Sequence, residues 1–301
     1  MSSDSLDKPW PELPSDGIEW SVLVTEESGD ELFSVDADRV LATASIGKLL
    51  LLVEVAAQLA TGRLEPDEQL ARTEQDTVAD SGIWQNLFSD SLPVVDVAAL
   101  VGAVSDNLAT NVLLRRVGTT AVDERAAALG LQHTALHDQV RDERSPNDPP
   151  RLSSGNAREL AKLMSIISFG DGLDSAVAQQ VCTWLRFNCD LSMVAAPWNL
   201  DPLAHHQPDR GLRLVNKTGT NDEVRGDVGV LRLIGTGSDR SITYAVLANW
   251  ALNGPDRRRD VLAAMAAVGR QIESHLRAEI GADGNPHRSG VTLRSSSEGT
   301  K

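Results

Sequence analysis

The sequence predicts an α/β (α+β) fold, in which an antiparallel sheet built from both chain ends is flanked by helices and carries an inserted all-α domain. Two observations predict it. Strand-like stretches of alternating and β-branched residues occur near the amino end and return between residues 212 and 250. Between them, from about residue 66 to residue 210, apolar residues recur mostly at helical spacing. We therefore expect the two strand regions to share one sheet.

The amino-terminal elements are a hairpin and a buried helix. Residues 18–25 and 31–35 have the alternation of strands, and Ser28-Gly29-Asp30 between them is typical of a turn. A helix is predicted to open at Ser45. Its segment 49–59 is apolar on nearly every side, which indicates a central helix rather than one at the surface.

The remaining elements follow from the same periodicities. Helical spacing predicts helices over 96–104, 109–117, 122–129 and 156–167. The polar, proline-rich segment 141–152 predicts a long loop. Strand patterns recur over 212–217, 224–234 and 241–248, and a final helix is predicted over 258–278.

These elements divide the chain into four predicted parts. Residues 1–16 form a flexible amino-terminal arm, and residues 281–301, rich in Ser, Gly and Thr, form a disordered tail. Residues 17–65 combine with residues 211–280 in an α/β domain, and residues 66–210 form the all-α domain.

The composition restricts the possible partners. The formal net charge is −15 and no long basic run offsets it, which argues against nucleic acid and against an anionic membrane surface. No apolar run approaches the ~20 residues that cross a bilayer. The amino-terminal residues are acidic and proline-rich, without the features of a secretion signal, so we expect a cytoplasmic protein.

The cysteines and histidines predict neither a disulfide nor a metal site. Cys182 and Cys189 are two turns apart in a predicted helix, which separates their Cβ atoms by roughly 10 Å, too far for a disulfide. The thiols and the histidines also lack the spacing of metal ligands. We therefore expect no metal and no organic cofactor.

The first motif, Ser-Ile-Gly-Lys at 45–48, places a nucleophile and a base on one helix face. A serine hydroxyl needs a base, and at i and i+3 the amine of Lys48 can reach the hydroxyl of Ser45. Apolar surroundings lower the pKa of a lysine towards the range of a base. The chain has only five lysines, at positions 8, 48, 162, 217 and 301. Alone, however, the motif is more often an N-cap serine beside an ordinary lysine.

The second motif, Ser105-Asp106-Asn107, lies in a turn between two predicted helices. In a functional interpretation Ser105 relays a proton to the leaving group, while Asn107 hydrogen-bonds Lys48 and a substrate amide. Asp106 turns inward and holds the loop. The alternative is a simple N-cap cluster.

The third motif, Lys217-Thr218-Gly219, ends a predicted strand. Lys217 would provide positive charge for a substrate carboxylate, and Thr218 would hydrogen-bond that carboxylate. Gly219 would let the strand backbone approach a substrate closely. The N–H of Thr220, together with that of Ser45, would form an oxyanion hole. A single motif of this kind is usually only a strand end.

In this order the three motifs resemble those of the serine β-lactamase and penicillin-binding protein superfamily, most of all the class A β-lactamases. The resemblance covers about residues 18–278 and includes the stretches TASIGKLLLL, SDNLATNVLL and KTGTNDEVRGDVGVL. It implies a β-lactamase/transpeptidase-like fold and an acyl-enzyme at Ser45, with Lys48 as base and Ser105 as proton relay. It also implies Arg225 as a second carboxylate anchor.

One part of the class A pattern is missing. Class A enzymes hydrolyse the acyl-enzyme with a glutamate in an E-x-x-L-N context, and the corresponding loop here, 136–154, has no such sequence. Glu143 is the candidate catalytic carboxylate, with Asp142 and Asp138 as further candidates; the alternative is that all three are solvated loop charges. Without an activated water we expect slow deacylation of β-lactams.

The expected function is that of a serine acyl-hydrolase, with β-lactam hydrolysis as its reaction and a small molecule carrying a carboxylate as its substrate. Two alternatives stay open. One is a cytoplasmic esterase or peptidase on the same fold. The other is a non-hydrolytic penicillin-binding or ligand-binding protein that lacks the deacylating glutamate.

Overall fold

A computed structural model describes residues 9–79, 81–235 and 239–278. The predicted tail over 281–301 and the first half of the predicted arm lie outside the described residues. The described part of the arm contacts the sheet, since the ring of Trp10 stacks on Phe33 with 5.0 Å between the centroids. None of the described helices combines the length and the apolar composition that crossing a membrane requires.

Short and long strands alternate with helices along the chain. The strands are β1 (Ile18–Glu26), β2 (Glu31–Val35), β3 (Leu41–Ala42), β4 (Gln69–Ala71), β5 (Ser91–Pro93), β6 (Ala135–Leu136), β7 (Ser153–Gly155), β8 (Leu212–Thr220), β9 (Val224–Leu233) and β10 (Arg240–Trp250). The α-helices are α1 (Lys48–Ala60), α2 (Val94–Val104), α3 (Asn107–Val117), α4 (Thr119–Ala128), α5 (Ala157–Phe169), α6 (Ser175–Arg186) and α7 (Arg258–Ala278). Single 3₁₀ turns are formed by Ala44–Gly47, Glu74–Asp76, Trp84–Asn86 and Ala196–Trp198.

The central sheet joins the two ends of the chain. Its strand order is β2-β1-β10-β9-β8, and all neighbouring strands are antiparallel. β1 pairs with β10 along its whole length, from Ile18 opposite Trp250 to Glu26 opposite Ile242. The predicted fold class is therefore confirmed, with the sheet built from both ends and the helices supplied mainly by the middle of the chain.

Two apolar cores lie on opposite faces of the sheet. One core contains α1 and inward side chains of β8–β10 such as Val215 and Val228, and the other lies under α7 and contains Leu231 and Tyr244. In α1 every residue from position 48 to position 58 is buried. This agrees with its apolar character on all sides, and it carries the amine of its first residue into the protein interior.

One local prediction is displaced by one residue and another is wrong. The helical segment opens at Ala44 as the 3₁₀ turn Ala44–Gly47, which runs directly into α1 at Lys48, so Ser45 lies in its first turn. Cys189 is not helical, because α6 ends at Arg186 and the side chain of Asn188 exchanges hydrogen bonds with the backbone of Asp190. Both cysteines are free thiols. The short strands β3 to β7 escape a periodicity analysis because they have only two or three residues each.

Candidate active site

Ser45 lies in a strained turn that its neighbours support. The preceding residue, Ala44, has a φ of +47°, which is uncommon for a residue with a side chain. The hydroxyl of Ser153 donates to the carbonyl oxygen of Ala44 at 2.5 Å and lies 2.7 Å from the hydroxyl of Thr43. These contacts from β7 fix both residues that precede Ser45, so the position of its side chain is determined by the tertiary structure.

Two glycines allow this turn to pack closely between β7 and β8. A Cβ atom on Gly47 would lie 2.3 Å from the Cβ of Ser153, and one on Gly219 would lie 2.2 Å from the carbonyl oxygen of Thr43. The missing side chain of Gly219 thus admits the Thr43 carbonyl of the protein's own turn. The close approach of the Gly219 backbone to a substrate stays a prediction.

Ser105 is presented by a turn that one buried carboxylate holds. It ends α2 in the left-handed conformation, with φ 55° and ψ 35°. The adjacent Asp106 caps α3 by accepting from the N–H of Ala109 at 2.9 Å. Its second oxygen accepts from the N–H groups of Ile83 and Trp84 at 2.7 and 2.8 Å. Three backbone donors thus satisfy Asp106 and tie the Ser105 turn to the 81–84 segment.

Lys48 is completely buried next to this turn. Its Nζ donates to Oδ1 of Asn107 at 2.7 Å, to the carbonyl oxygen of Ser105 at 2.7 Å and to Oγ of Ser105 at 3.3 Å. Burial and the charge of Lys217 lower the pKa of Lys48 well below its usual value, while Asp106 opposes the shift. An amine with a lowered pKa can accept a proton near neutral pH.

Lys217 approaches the same hydroxyl from β8. Its Nζ donates to Oγ of Ser105 at 3.0 Å and to the carbonyl oxygen of Thr218 at 2.9 Å. Burial lowers the pKa of Lys217 to about 8, against the opposing charges of Asp190 and Asp227. At neutral pH the amine of Lys217 is therefore mainly cationic, and the hydroxyl of Ser105 lies within hydrogen-bonding distance of both buried lysines.

An open cavity of about 1080 Å³ lies above these amines. It is lined from several elements, including the predicted site residues Ser45, Ser105, Asn107, Thr218 and Thr220. The structure thus gathers all three motifs at one cavity. In the part of the chain that the structure describes, no group of three or more His, Cys, Asp or Glu side chains could hold a metal ion.

The structure does not bring Glu143 to this cavity. Its side chain is exposed and does not contribute to the lining. The flanking Arg141 and Arg144 turn inward instead, because each forms an ion pair with the buried Asp138, at 2.7 and 2.6 Å. These inward contacts leave Glu143 facing solvent.

The two other acidic candidates in this loop are also engaged. Burial raises the pKa of Asp138, but hydrogen bonds from Arg141 and Arg144 outweigh it, so the pKa is lowered and the carboxylate is saturated by two guanidinium groups. Asp142 lines the cavity, where its carboxylate accepts from the N–H of Ala79 at 2.9 Å. No proton acceptor of this loop is therefore both free and buried beside Ser45 in the described structure.

Arg225 lies next to the cavity without lining it. Its guanidinium donates to the carbonyl oxygens of Asn221 and Val224 and lies 5.8 Å from the centre of the Trp250 ring. Burial and the charge of Arg258 lower its pKa. The guanidinium thus binds carbonyl groups of its own hairpin, while its neighbours Asn221 and Trp250 line the cavity. The role of Arg225 as a second carboxylate anchor stays a prediction.

Val140 is a cavity residue that the sequence analysis missed. Asn111 on α3 holds its backbone, since the N–H of Val140 donates to Oδ1 of Asn111 at 2.8 Å and Nδ2 of Asn111 donates back to the Val140 carbonyl at 3.0 Å. This pair fixes the backbone of the 136–154 loop at Val140, an apolar residue of the cavity lining. The sequence contains one indication that Asn111 lies near the site, because Asn111 is one helical turn after Asn107 on the same face of α3.

The comparisons with known proteins agree with this geometry. The sequence matches the model of the family described as the beta-lactamase enzyme family over residues 13–276. A beta-lactamase from Proteus vulgaris is 26% identical over 176 residues, which is 53% of this chain and 56% of that protein. The chain therefore spans only a little more than half the length of this relative.

Solved structures share the fold at low sequence identity. The beta-lactamase from Sphaerobacter thermophilus has a TM-score of 0.74 and 21% identity, with 87% of this chain and 92% of that chain covered. PBP-A has a TM-score of 0.70 and 21% identity, with 86% and 91% covered. A single-site mutant of PBP-A, described as an acyl-enzyme complex with penicillin G, has a TM-score of 0.70 and 22% identity, with 85% and 91% covered.

The family model covers most of the chain, and the solved structures match the fold over nearly all of their length. The chain therefore belongs to the beta-lactamase enzyme family, at the level of a family of serine hydrolases.

Proposed function

We propose that this protein is a serine acyl-hydrolase that forms an acyl-enzyme at Ser45 with β-lactams or related amides and esters. The observation that carries the proposal is the position of the Ser105 hydroxyl, 3.3 Å from Nζ of Lys48 and 3.0 Å from Nζ of Lys217. This hydroxyl lines the same cavity as Ser45. It connects two buried amines with lowered pKa values, which is an arrangement suited to proton transfer.

The proposed acylation uses each group in turn. Neutral Lys48 accepts the proton of the Ser45 hydroxyl as the oxygen attacks the carbonyl carbon of the substrate. The N–H groups of Ser45 and Thr220 stabilise the negative charge on the carbonyl oxygen. The proton then passes by way of Ser105 to the leaving nitrogen or oxygen, whose bond to the acyl carbon breaks. The product is an ester between the acyl group and Ser45.

The proposed substrate is a small molecule that carries a carboxylate. With a pKa of about 8, Lys217 offers positive charge beside the cavity at neutral pH. Thr218 lines the cavity next to it and would hydrogen-bond the same carboxylate. Arg225 is the proposed second anchor, since its guanidinium lies next to cavity residues and only one of its nitrogens donates to the carbonyl groups of its own hairpin.

A second candidate is a penicillin-binding protein that acylates without efficient hydrolysis. The apolar Val140 and Ser45 line the same cavity, while Asp138 is paired with two arginines and Glu143 faces solvent. Activation of a water needs a positioned base within hydrogen-bond reach of it. We therefore expect an acyl-enzyme with a long lifetime. A parallel screen with nitrocefin and p-nitrophenyl esters tests the third possibility, an esterase or peptidase on this fold.

Intact-mass spectrometry after incubation with penicillin G tests the proposal. We expect a covalent adduct on the wild-type protein and none on Ser45→Ala. Ser175→Ala, an exposed serine at the start of α6, is the matched control and should be labelled like the wild type.

The three possible results are distinct. A persistent adduct supports acylation without hydrolysis, and opened penicillin without a persistent adduct supports a true β-lactamase. An unchanged mass together with intact penicillin would show that the proposed reaction with β-lactams does not occur.

A further inference from the structure

Asp227 on β9 is a fully buried carboxyl group that the proposed reaction does not use. Three neutral groups donate to it: Nδ2 of Asn216 at 3.0 Å, the hydroxyl of Tyr244 at 3.1 Å and the N–H of Val194 at 3.1 Å. No ion pair involves it in the described residues. A buried carboxyl group without a cationic partner is costly to ionise, so its presence in the core calls for a physical reason.

Asp227 lies behind Lys217, across the sheet. Thr218 is directly opposite Asp227 in the β8–β9 ladder, and Lys217 is opposite Val228. Since successive side chains of a strand point to opposite faces, the amine and the carboxyl group lie on the two faces of the same pair of strands. The backbone of β8 and β9 therefore lies between the two side chains.

A glycine makes the arrangement around Asp227 possible. Gly229 lies opposite both Asn216 and Tyr244 in the sheet. A Cβ atom there would lie 2.7 Å from the Tyr244 hydroxyl and 2.8 Å from the Cβ of Asn216. The missing side chain therefore provides the space in which these two donors reach the carboxyl group.

The same hydrogen bonds extend to a wall of the catalytic cavity. Nδ2 of Asn188 donates to Oδ1 of Asn216 at 2.8 Å, and the N–H of Val194 donates to Asp227. The segment 188–194 is thus tied at both ends to the Asp227 cluster. Its residues Asn188 and Asp190 line the cavity, and the charge of Asp190 acts on Lys217.

The charges around the two lysines are coupled. The negative charges of Asp190 and Asp227 oppose the lowering of the Lys217 pKa by burial, and a charged Lys217 in turn lowers the pKa of Lys48. Burial raises the pKa of Asp227 to about 7, and the pKa of Lys217 is about 8. At pH 8, where Lys217 is half deprotonated, Asp227 is therefore largely ionised. Tyr244 stays neutral there, because burial and Asp227 raise its pKa.

We propose that Asp227 is a positioning residue for Lys217: its carboxylate favours the charged amine from the opposite face of the sheet, and its hydrogen bonds hold the 188–194 wall. The catalytic consequence rests on the proposed function. The effect on Lys217 does not, because it requires neither substrate nor turnover.

The direct test is the pKa of Lys217, measured by NMR on protein labelled with ¹³C at lysine Cε. The chain has only five lysines, so the spectrum is simple, and the signal lost in Lys217→Met identifies the residue. Removal of a neighbouring negative charge disfavours the ammonium form. We therefore expect Asp227→Asn to lower the pKa of Lys217 by about one unit, the size of shift that a close charge produces.

Two further variants make the test specific. Tyr244→Phe removes one donor to Asp227 and should shift the Lys217 pKa in the same direction by a smaller amount, which provides a result even if Asp227→Asn fails to fold. Glu54→Gln is the matched control, because Glu54 is also a buried carboxylate but pairs with Arg125 on α4. It should leave the Lys217 pKa unchanged.

The second readout is the rate of acylation by penicillin G as a function of pH. The alkaline limb reports loss of the Lys217 proton, and Asp227→Asn should move it to lower pH by the same amount as in the NMR titration. A Lys217 pKa that is the same in the wild type, Asp227→Asn and Tyr244→Phe would overturn the inference. A wild type that penicillin does not label, with the NMR shift present, would refute the proposed function and leave this inference standing.

Discussion

At the scale of single residues, one hydroxyl connects the two buried lysine amines of the described structure. Ser105 reaches both amines because the left-handed turn at its backbone lifts it out of α2, and Asp106 holds that turn through three backbone N–H groups. In the described structure no hydrogen bond joins the Ser45 hydroxyl to Lys48, whose Nζ is instead held by Ser105 and Asn107. The amine is thus held beside Ser105, the residue proposed to relay the proton.

The first prediction concerns Val140, a residue of the cavity lining whose backbone is fixed by Asn111. A carboxylate at this position would be held at the cavity that Ser45 lines, where it could activate a water. We expect Val140→Glu to shorten the lifetime of the penicillin adduct by about 100-fold, within the usual range for general-base catalysis. The decay of the adduct, followed by intact-mass spectrometry, measures this.

Val140→Gln is the control for that prediction, since it has nearly the same size and polarity but no basic oxygen. Equal adduct lifetimes in Val140→Glu and Val140→Gln would contradict a base effect at this position.

At the scale of elements, the nucleophile depends on a 3₁₀ turn wedged between two strands. Ala44–Gly47 contacts β7 through Ser153 and β8 through Gly219, and the strained Ala44 is maintained by these contacts. The turn belongs to neither strand, so its conformation follows from packing between elements that are distant in sequence. A substitution on β8 that disturbs this packing should therefore displace Ser45.

The second prediction tests this wedge. In Gly219→Ala the new methyl group would meet the carbonyl oxygen of Thr43 at 2.2 Å, and that oxygen is part of the backbone, so the turn has to move. We expect a loss of about 1–3 kcal/mol in the free energy of unfolding, together with slower acylation of Ser45. Denaturant unfolding and the rate of adduct formation measure the two effects. Gly254→Ala is the control, because its Cβ would lie 3.2 Å or more from other atoms; a similar loss there would argue against a specific effect of the wedge.

At the scale of the whole molecule, the two buried lysines oppose stability. Both amines lie in a protein interior that lowers their pKa values, which means that folding disfavours their charged forms. This cost is offset by the two apolar cores on either side of the sheet. The buried lysines thus lower the free energy of unfolding, while their lowered pKa values suit them to proton transfer.

The third prediction follows from the sign of this effect. The pKa of Lys217 falls from 10.5 to about 8 on folding, so between these values the unfolded chain binds a proton that the folded protein does not. Stability should therefore rise with pH from about 8 to about 10.5, and the full cost, about 3 kcal/mol, should be present below pH 8.

We expect Lys217→Met to be more stable than the wild type at pH 7 and to be acylated far more slowly. Its stability should rise less with pH than that of the wild type, because only Lys48 then contributes a lowered lysine pKa. Unfolding curves recorded between pH 6 and pH 11 measure the two effects on stability. A Lys217→Met variant that is less stable than the wild type at pH 7 would show that the amine contributes net stabilising hydrogen bonds.

The periodicity of apolar residues and the order of the three motifs were sufficient to predict the fold and the residues that meet at the cavity. Strand patterns near both chain ends predicted one shared sheet, which β1 and β10 join by pairing, and the three motifs predicted which hydroxyls and amines would meet. The roles of the individual site residues, the domain boundaries and the cytoplasmic location stay predictions. The conformation of the 136–154 loop could not be predicted from the sequence, because the loop has no periodic pattern. Its conformation is set by ion pairs to Asp138 and by hydrogen bonds to Asn111.

The sequence by itself determined the sheet, the buried helix α1 and the order of the three motifs, because these depend on local patterns of apolar residues and on short-range spacing. Only the tertiary structure decided that Glu143 faces solvent, that Arg225 is bound by its own hairpin, that Gly219 admits Thr43, and that Asp227 lies behind Lys217. Each of these depends on contacts between segments that are remote along the chain or on how a loop is anchored. Such contacts form only when the helices, strands and loops pack together, so they cannot be predicted from local patterns in the sequence.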